Sequence, residues 1–173
     1  MRTGLAALVL WWLLLVAAGL HSAYYYPKLP AMMATNFDAR GNPDGWMAKE
    51  SFFAVHAITF AGVTALLFAA SLSVRIVPDR MISVPNKDYW LAPERREESV
   101  AYLFRFLLWI NNATMLFLIA IIDSVFRANL AAPVRLPANP WIWAIIVPAF
   151  VAGITVHLFL RFRRPAQMGS ERT

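Results

Sequence analysis

The sequence predicts an all-α membrane protein: a four-transmembrane-helix bundle with an ordered extracytoplasmic loop between the first two helices. Three observations predict it. Of the 173 residues, 60% are hydrophobic and only 15% are charged, against about a half and about a quarter in an ordinary soluble domain. The apolar residues gather into four long runs separated by polar segments. The segment between the first two runs is rich in proline, glycine, asparagine and aspartate, the residues of defined turns.

Leu5 to Ala23 carries no formal charge, nor does Ser51 to Val74; Phe106 to Ile122 lies between Arg105 and Asp123, and Trp141 to Leu160 ends at Arg161. About 20 apolar residues in helix cross the ~30 Å of hydrocarbon. An isolated span must satisfy its own backbone hydrogen bonds, so each run is read as helix. The spans are placed at about 5–26, 51–74, 99–126 and 141–162, in a single membrane domain covering 1–173. The first run is read as a retained helix and not a cleaved signal peptide. It is long for that purpose, carries Trp11 and Trp12 near its centre, and places His21 where a cleavage site prefers a small residue. Gly62 and Gly153 are positions where helices could approach closely, and Pro148 is a potential kink in the fourth span.

The formal net charge of +6 and the isoelectric point near 10.2 do not indicate nucleic acid, because the basic residues flank the apolar runs and form no stripe of their own. They read as topology signals. Of the 16 Lys and Arg residues, eleven share one side with the termini and the 75–98 loop, counting Arg105 and Arg161 near the ends of their spans, and five (Lys28, Arg40, Lys49, Arg127 and Arg135) fall on the other side. Under the positive-inside rule both termini are expected to be cytoplasmic. Residues 27–50 then form the outer loop and 75–98 the cytoplasmic loop, with a short polar tail after Arg163.

In the outer loop Pro27 and Pro30 stop the first helix. Asp38–Gly41 and Asn42–Gly45 are read as turns, the second as a type I turn with Pro43 at its second position. Met32, Met33, Phe37 and Trp46 are expected to fold back as a cap. A groove between them would mark a ligand site. On the cytoplasmic side Pro93 suits the first turn of a helix, with Glu94, Glu97 and Glu98 favouring its positive end, so the third helix is expected to begin in water.

The stretches LPAMMATNFDARGNPDGWMAK and PNKDYWLAPERR resemble a bacterial family of small integral membrane proteins of unknown function. The same outer-loop domain stands at the front of SdpI-like immunity proteins, which protect cells from a secreted peptide toxin. The resemblance covers about Tyr26 to Tyr102, and Asn36 stands where the family often has histidine before Phe37. It implies a role in immunity or envelope signalling.

Candidate chemistry is sparse. The absence of cysteine removes disulfides, thiolate metal sites and a cysteine nucleophile. Asn36, Asp38, Asn42 and Asp44 offer four oxygen side chains, but Arg40 stands where a calcium loop needs an acid, and turn chemistry accounts for the same residues. His21, His56 and Asp123 fall at similar depth near the outer ends of three spans, where they are weak candidates for a metal site or a proton relay. Asp123 also stands one turn before Arg127. Asn111 and Asn112, mid-span, are expected to bond neighbouring helices. No catalytic motif or cofactor fingerprint is present, so no enzyme and no cofactor is expected. The expected partners are the lipid bilayer and a peptide, lipid or membrane protein bound through Asn36, Phe37, Asp38, Asp44 and Trp46. The alternative is an accessory or metal-handling subunit of a larger membrane complex.

Overall fold

In the computed structural model, which describes residues 2–136 and 141–163, five helices and one β-hairpin follow one another. They are α1 (Arg2–Tyr25), the strands β1 (Met32–Phe37) and β2 (Pro43–Ala48), α2 (Lys49–Ser73), the single turn α3 (Lys87–Trp90), α4 (Pro93–Leu130) and α5 (Trp141–Arg161). The molecule is therefore mostly helical, although the hairpin departs from the expected all-α class. Among the described residues three helical stretches are long and apolar enough to cross a membrane: Gly4–Lys28, Lys49–Ser73 and Pro93–Leu130. The sequence predicts a fourth span at 141–162, but over its described apolar part, Ile145–Arg161, that helix is shorter than the other three. The expected second outer loop passes through 137–140, and the polar tail through 164–173; both lie outside the described residues.

The spine is α4. It begins at Pro93, whose missing N–H is no loss in a first helical turn, after the extended Ala92. At 1.5 Å per residue its 38 residues measure about 57 Å, nearly twice the hydrocarbon thickness. Against it pack α1 and α2. Consecutive residues on a helix point about 100° apart, so adjacent amides of α4 face different neighbours. Asn111 Nδ2 donates to the Thr64 carbonyl of α2 at 3.2 Å, and Asn112 Nδ2 donates to the Ala7 carbonyl of α1 at 2.9 Å. Both side chains are buried, and such interhelical bonds typically contribute about 0.6–2 kcal/mol each. Between them lie apolar layers, Ala7, Phe104 and Leu108 in one and Leu14, Ala18, Phe60 and Met115 in the next. Gly62 and Gly153 do not serve as approach points: a Cβ at either would meet nothing within 4 Å.

The segment after α2 and the end of α5 close the bundle opposite the hairpin. Asn86, in the left-handed region at φ 51°, and the Trp90 indole both donate to the Phe162 carbonyl, at 2.9 and 2.8 Å. The Phe162 ring is buried with Ile82, Leu91, Val100 and Leu103. His157 meets the Tyr102 hydroxyl at 2.6 Å and stacks on Phe106.

Candidate functional site

The hairpin at the other end is assembled from its tip inwards. Asp38 accepts at one carboxylate oxygen from the Arg40 and Asn42 amides, both at 2.8 Å, and at the other from the Asn42 side chain at 3.1 Å. Donation from the Asn42 backbone and side chain, with Arg40 adding to it, holds the Asp38 pKa below the usual aspartate range. Gly41 takes φ 82°, a conformation that favours glycine. The second predicted turn, Asn42–Gly45, does not form, because Pro43, Asp44 and Gly45 belong to β2.

β1 and β2 pair antiparallel, with Met33 opposite Met47 and Ala34 opposite Trp46. The register then skips Thr35, so that Asn36 lies opposite Gly45. Glycine is needed there: a Cβ at residue 45 would stand 2.8 Å from Asn36 Nδ2 and 3.0 Å from Asn36 Cβ. Two bonds from α4 anchor the strand. The Ala34 amide donates to Asn129 Oδ1 at 2.7 Å, and Asn129 Nδ2 donates to the Ala34 carbonyl at 2.9 Å. The tip is tied down as well, by Leu136 N–H to the Gly41 carbonyl at 3.0 Å and by the Arg135 guanidinium to the Arg40 carbonyl.

Beneath the hairpin a groove of about 400 Å³ opens between β1, β2, α2 and α4, within the range of small-molecule sites. Thr35, Asn36 and Met47 line its mouth, His56 and Thr59 stand on the α2 wall, and Leu118, Ile121, Ile122 and Val125 form the α4 wall. A second crevice of about 260 Å³, between α1 and α2, shares His56 and Phe60 with it. Thr35 and Asn36 at the mouth, above walls that are mainly apolar apart from His56 and Thr59, suit an amphiphile.

Next to the groove the ring of Phe126, fully buried, is the hub of an aromatic cluster. Tyr25, Phe53 and His21 stand 5.1, 5.3 and 5.5 Å from it, centre to centre, and Phe52 and His56 6.2 and 6.5 Å. On its α1 side Asp123 accepts from Tyr25 OH at 3.1 Å, lies 3.0 Å from His21 Nε2, and pairs with Arg127 at 2.6 Å. Balancing the carboxylate with a guanidinium and two further polar groups makes it tolerable near hydrocarbon. The network holds α1 to α4.

The structure thus joins two of the three weak metal candidates and separates the third. His21 and Asp123 meet, whereas His56 faces Phe126 and, among the described residues, makes ring contacts without a hydrogen bond. Among the described residues no group of three or more His, Cys, Asp or Glu is placed to hold a metal ion. Of the loop candidates, Asn36 lines the groove; Phe37 and Trp46 are not among its lining residues, and Asp38 is engaged by the tip. Met33 is buried on Ile122 and Phe126, while Met32 and Asp44 are exposed. Asn129 and Phe126 were not predicted. Their only signal in the sequence is an amide and an aromatic ring near the end of a long helix.

No curated protein and no solved structure matches the chain. Residues 13–60 match the family model of a domain of unknown function, DUF1648. That stretch runs from the middle of α1 through the hairpin to Phe60 on α2, and so holds His21, Tyr25, His56 and the whole of the groove's mouth.

Proposed function

We propose that this chain is a non-catalytic, four-span protein of the bacterial cytoplasmic membrane that binds an amphiphilic ligand, a lipid or the apolar side of a peptide, in the groove beneath its hairpin. The groove carries this reading. Thr35 and Asn36 at its mouth and its mainly apolar walls fit a molecule that is polar at one end and hydrocarbon at the other. The distribution of Lys and Arg favours cytoplasmic termini, which puts the hairpin outside. The fourth span is α5, whose 21 residues reach about 31 Å. In family terms the role is of the immunity or envelope-signalling type, on the resemblance of the outer loop to SdpI-like proteins.

Native mass spectrometry of the protein purified in mild detergent tests this. One amphiphile per chain is expected to travel with it. Thr59→Trp, which fills the groove, is expected to abolish the adduct, and Leu66→Trp, at a residue that is 70% exposed, to retain it. An equal adduct in both variants, or none in the parent chain, overturns the reading.

A further inference from the structure

The hairpin has two outward edges, and only one is occupied from within. The Lys49 amide donates to the Ala31 carbonyl, and bonded pairs alternate along an antiparallel ladder. Met33 and Met47 are therefore a bonded pair, and the backbones of Ala34 and Trp46 point away from each other. Asn129 takes the outward amide and carbonyl of Ala34, standing in for a third strand. By the same alternation the Trp46 amide and carbonyl, and the Ala48 amide, face outward from β2, where no side chain or strand among the described residues meets them.

That edge is not disguised as free edges usually are, by charge and irregularity along their length. Pro43 and Asp44 guard its start, but its centre is Trp46, 51% exposed. Asp44 and Glu50 flank it; both are exposed, and neither forms an ion pair among the described residues. Unpaired strand backbone adds a peptide strand, a half-exposed indole attracts a cationic side chain, and two free carboxylates prefer a basic partner. We infer that the β2 edge from Asp44 to Ala48 docks an extended, basic peptide segment of a partner protein as a third strand. The site is separate from the groove, into which Met47 faces.

Ala48 provides the test. Its φ of −60° already fits proline, and its N–H faces outward, so Ala48→Pro removes a docking donor while the hairpin stays folded. The protein is placed in phosphatidylcholine nanodiscs and probed with a blocked hexapeptide of alternating lysine and valine, with amide hydrogen exchange as the readout. The peptide is expected to slow exchange at the Trp46 amide about tenfold or more, and the glutamate–valine counterpart to leave it unchanged. Ala48→Pro is expected to weaken the effect about tenfold with Met47 still protected, and a peptide methylated at every backbone nitrogen to lose it without any change to the protein. Thr59→Trp leaves it intact, so failure here is distinct from failure of the groove reading. Unchanged Trp46 exchange at millimolar peptide overturns the inference. So does Trp46 protection that rises with protein concentration alone, which would assign the edge to a second copy of this chain.

Discussion

Asn129 shows how much one side chain of α4 contributes to the hairpin. Ala34 is fully buried, and among the described residues its amide and carbonyl find partners only in the Asn129 carboxamide. Leaving a buried donor or acceptor without a partner costs about 1–3 kcal/mol each. Asn129→Ala is therefore expected to destabilise the hairpin by about 2–6 kcal/mol, and hydrogen exchange should show the Ala34 amide opening ahead of the helices. Loss of protection no greater than in the helices would show that the clamp is not what holds β1. At the tip, the Asp38 carboxylate has its pKa depressed by the Asn42 donors. A group of this kind adds stability above its unfolded pKa of about 3.9, and that stability is lost as pH falls through the lower folded value. Exchange protection of the Asn42 amide should thus persist below the ordinary aspartate range before it falls, and Asp38→Asn should remove the acid-dependent step. The Asp38–Gly41 turn was legible from residue types alone, because its bonds are local. The Asn129 clamp was not, since its two ends lie 95 residues apart and an amide near a helix end reads equally as solvated.

At the scale of elements, the boundaries set by hydrophobic run length and by proline were readable: α4 starts at Pro93, and α1 gives way to a 3-10 turn carrying Pro27. The strands were hidden by the same residues that advertise turns. Asn-Pro-Asp-Gly has turn composition, yet Gly45 serves a different need, space for the side chain of Asn36 across the ladder. Gly45→Ala is expected to push the Asn36 amide away from the groove mouth at a cost of about 1 kcal/mol, comparable to other overpacking changes. A shifted Asn36 side-chain amide resonance with the Met47 amide still protected would bear this out; an unmoved resonance would count against it. The small residues Gly62 and Gly153 misled in the opposite sense, since glycine permits a close helix approach but does not create one. The paired amides Asn111 and Asn112 were legible as helix glue because hydrocarbon offers them no other partner. Only the structure assigns one to α2 and the other to α1.

For the whole molecule, the sequence conveyed a membrane bundle with an informative loop. It did not convey the groove, which depends on how far α2 stands from α4 beneath the strands. Depth along the spans likewise placed His21, His56 and Asp123 at one level, but could not reveal that His21 and Asp123 meet while Phe126 stands between them and His56. Everything proposed for the hairpin face turns on which side of the membrane it occupies. The chain has no cysteine of its own, so single-cysteine labelling reads topology directly. With Asp44→Cys on β2 and Lys87→Cys at the opposite end, a membrane-impermeant maleimide should label the first in intact cells and the second only after permeabilisation. Labelling of Lys87→Cys in intact cells, with Asp44→Cys protected, would place the groove in the cytoplasm and contradict the account.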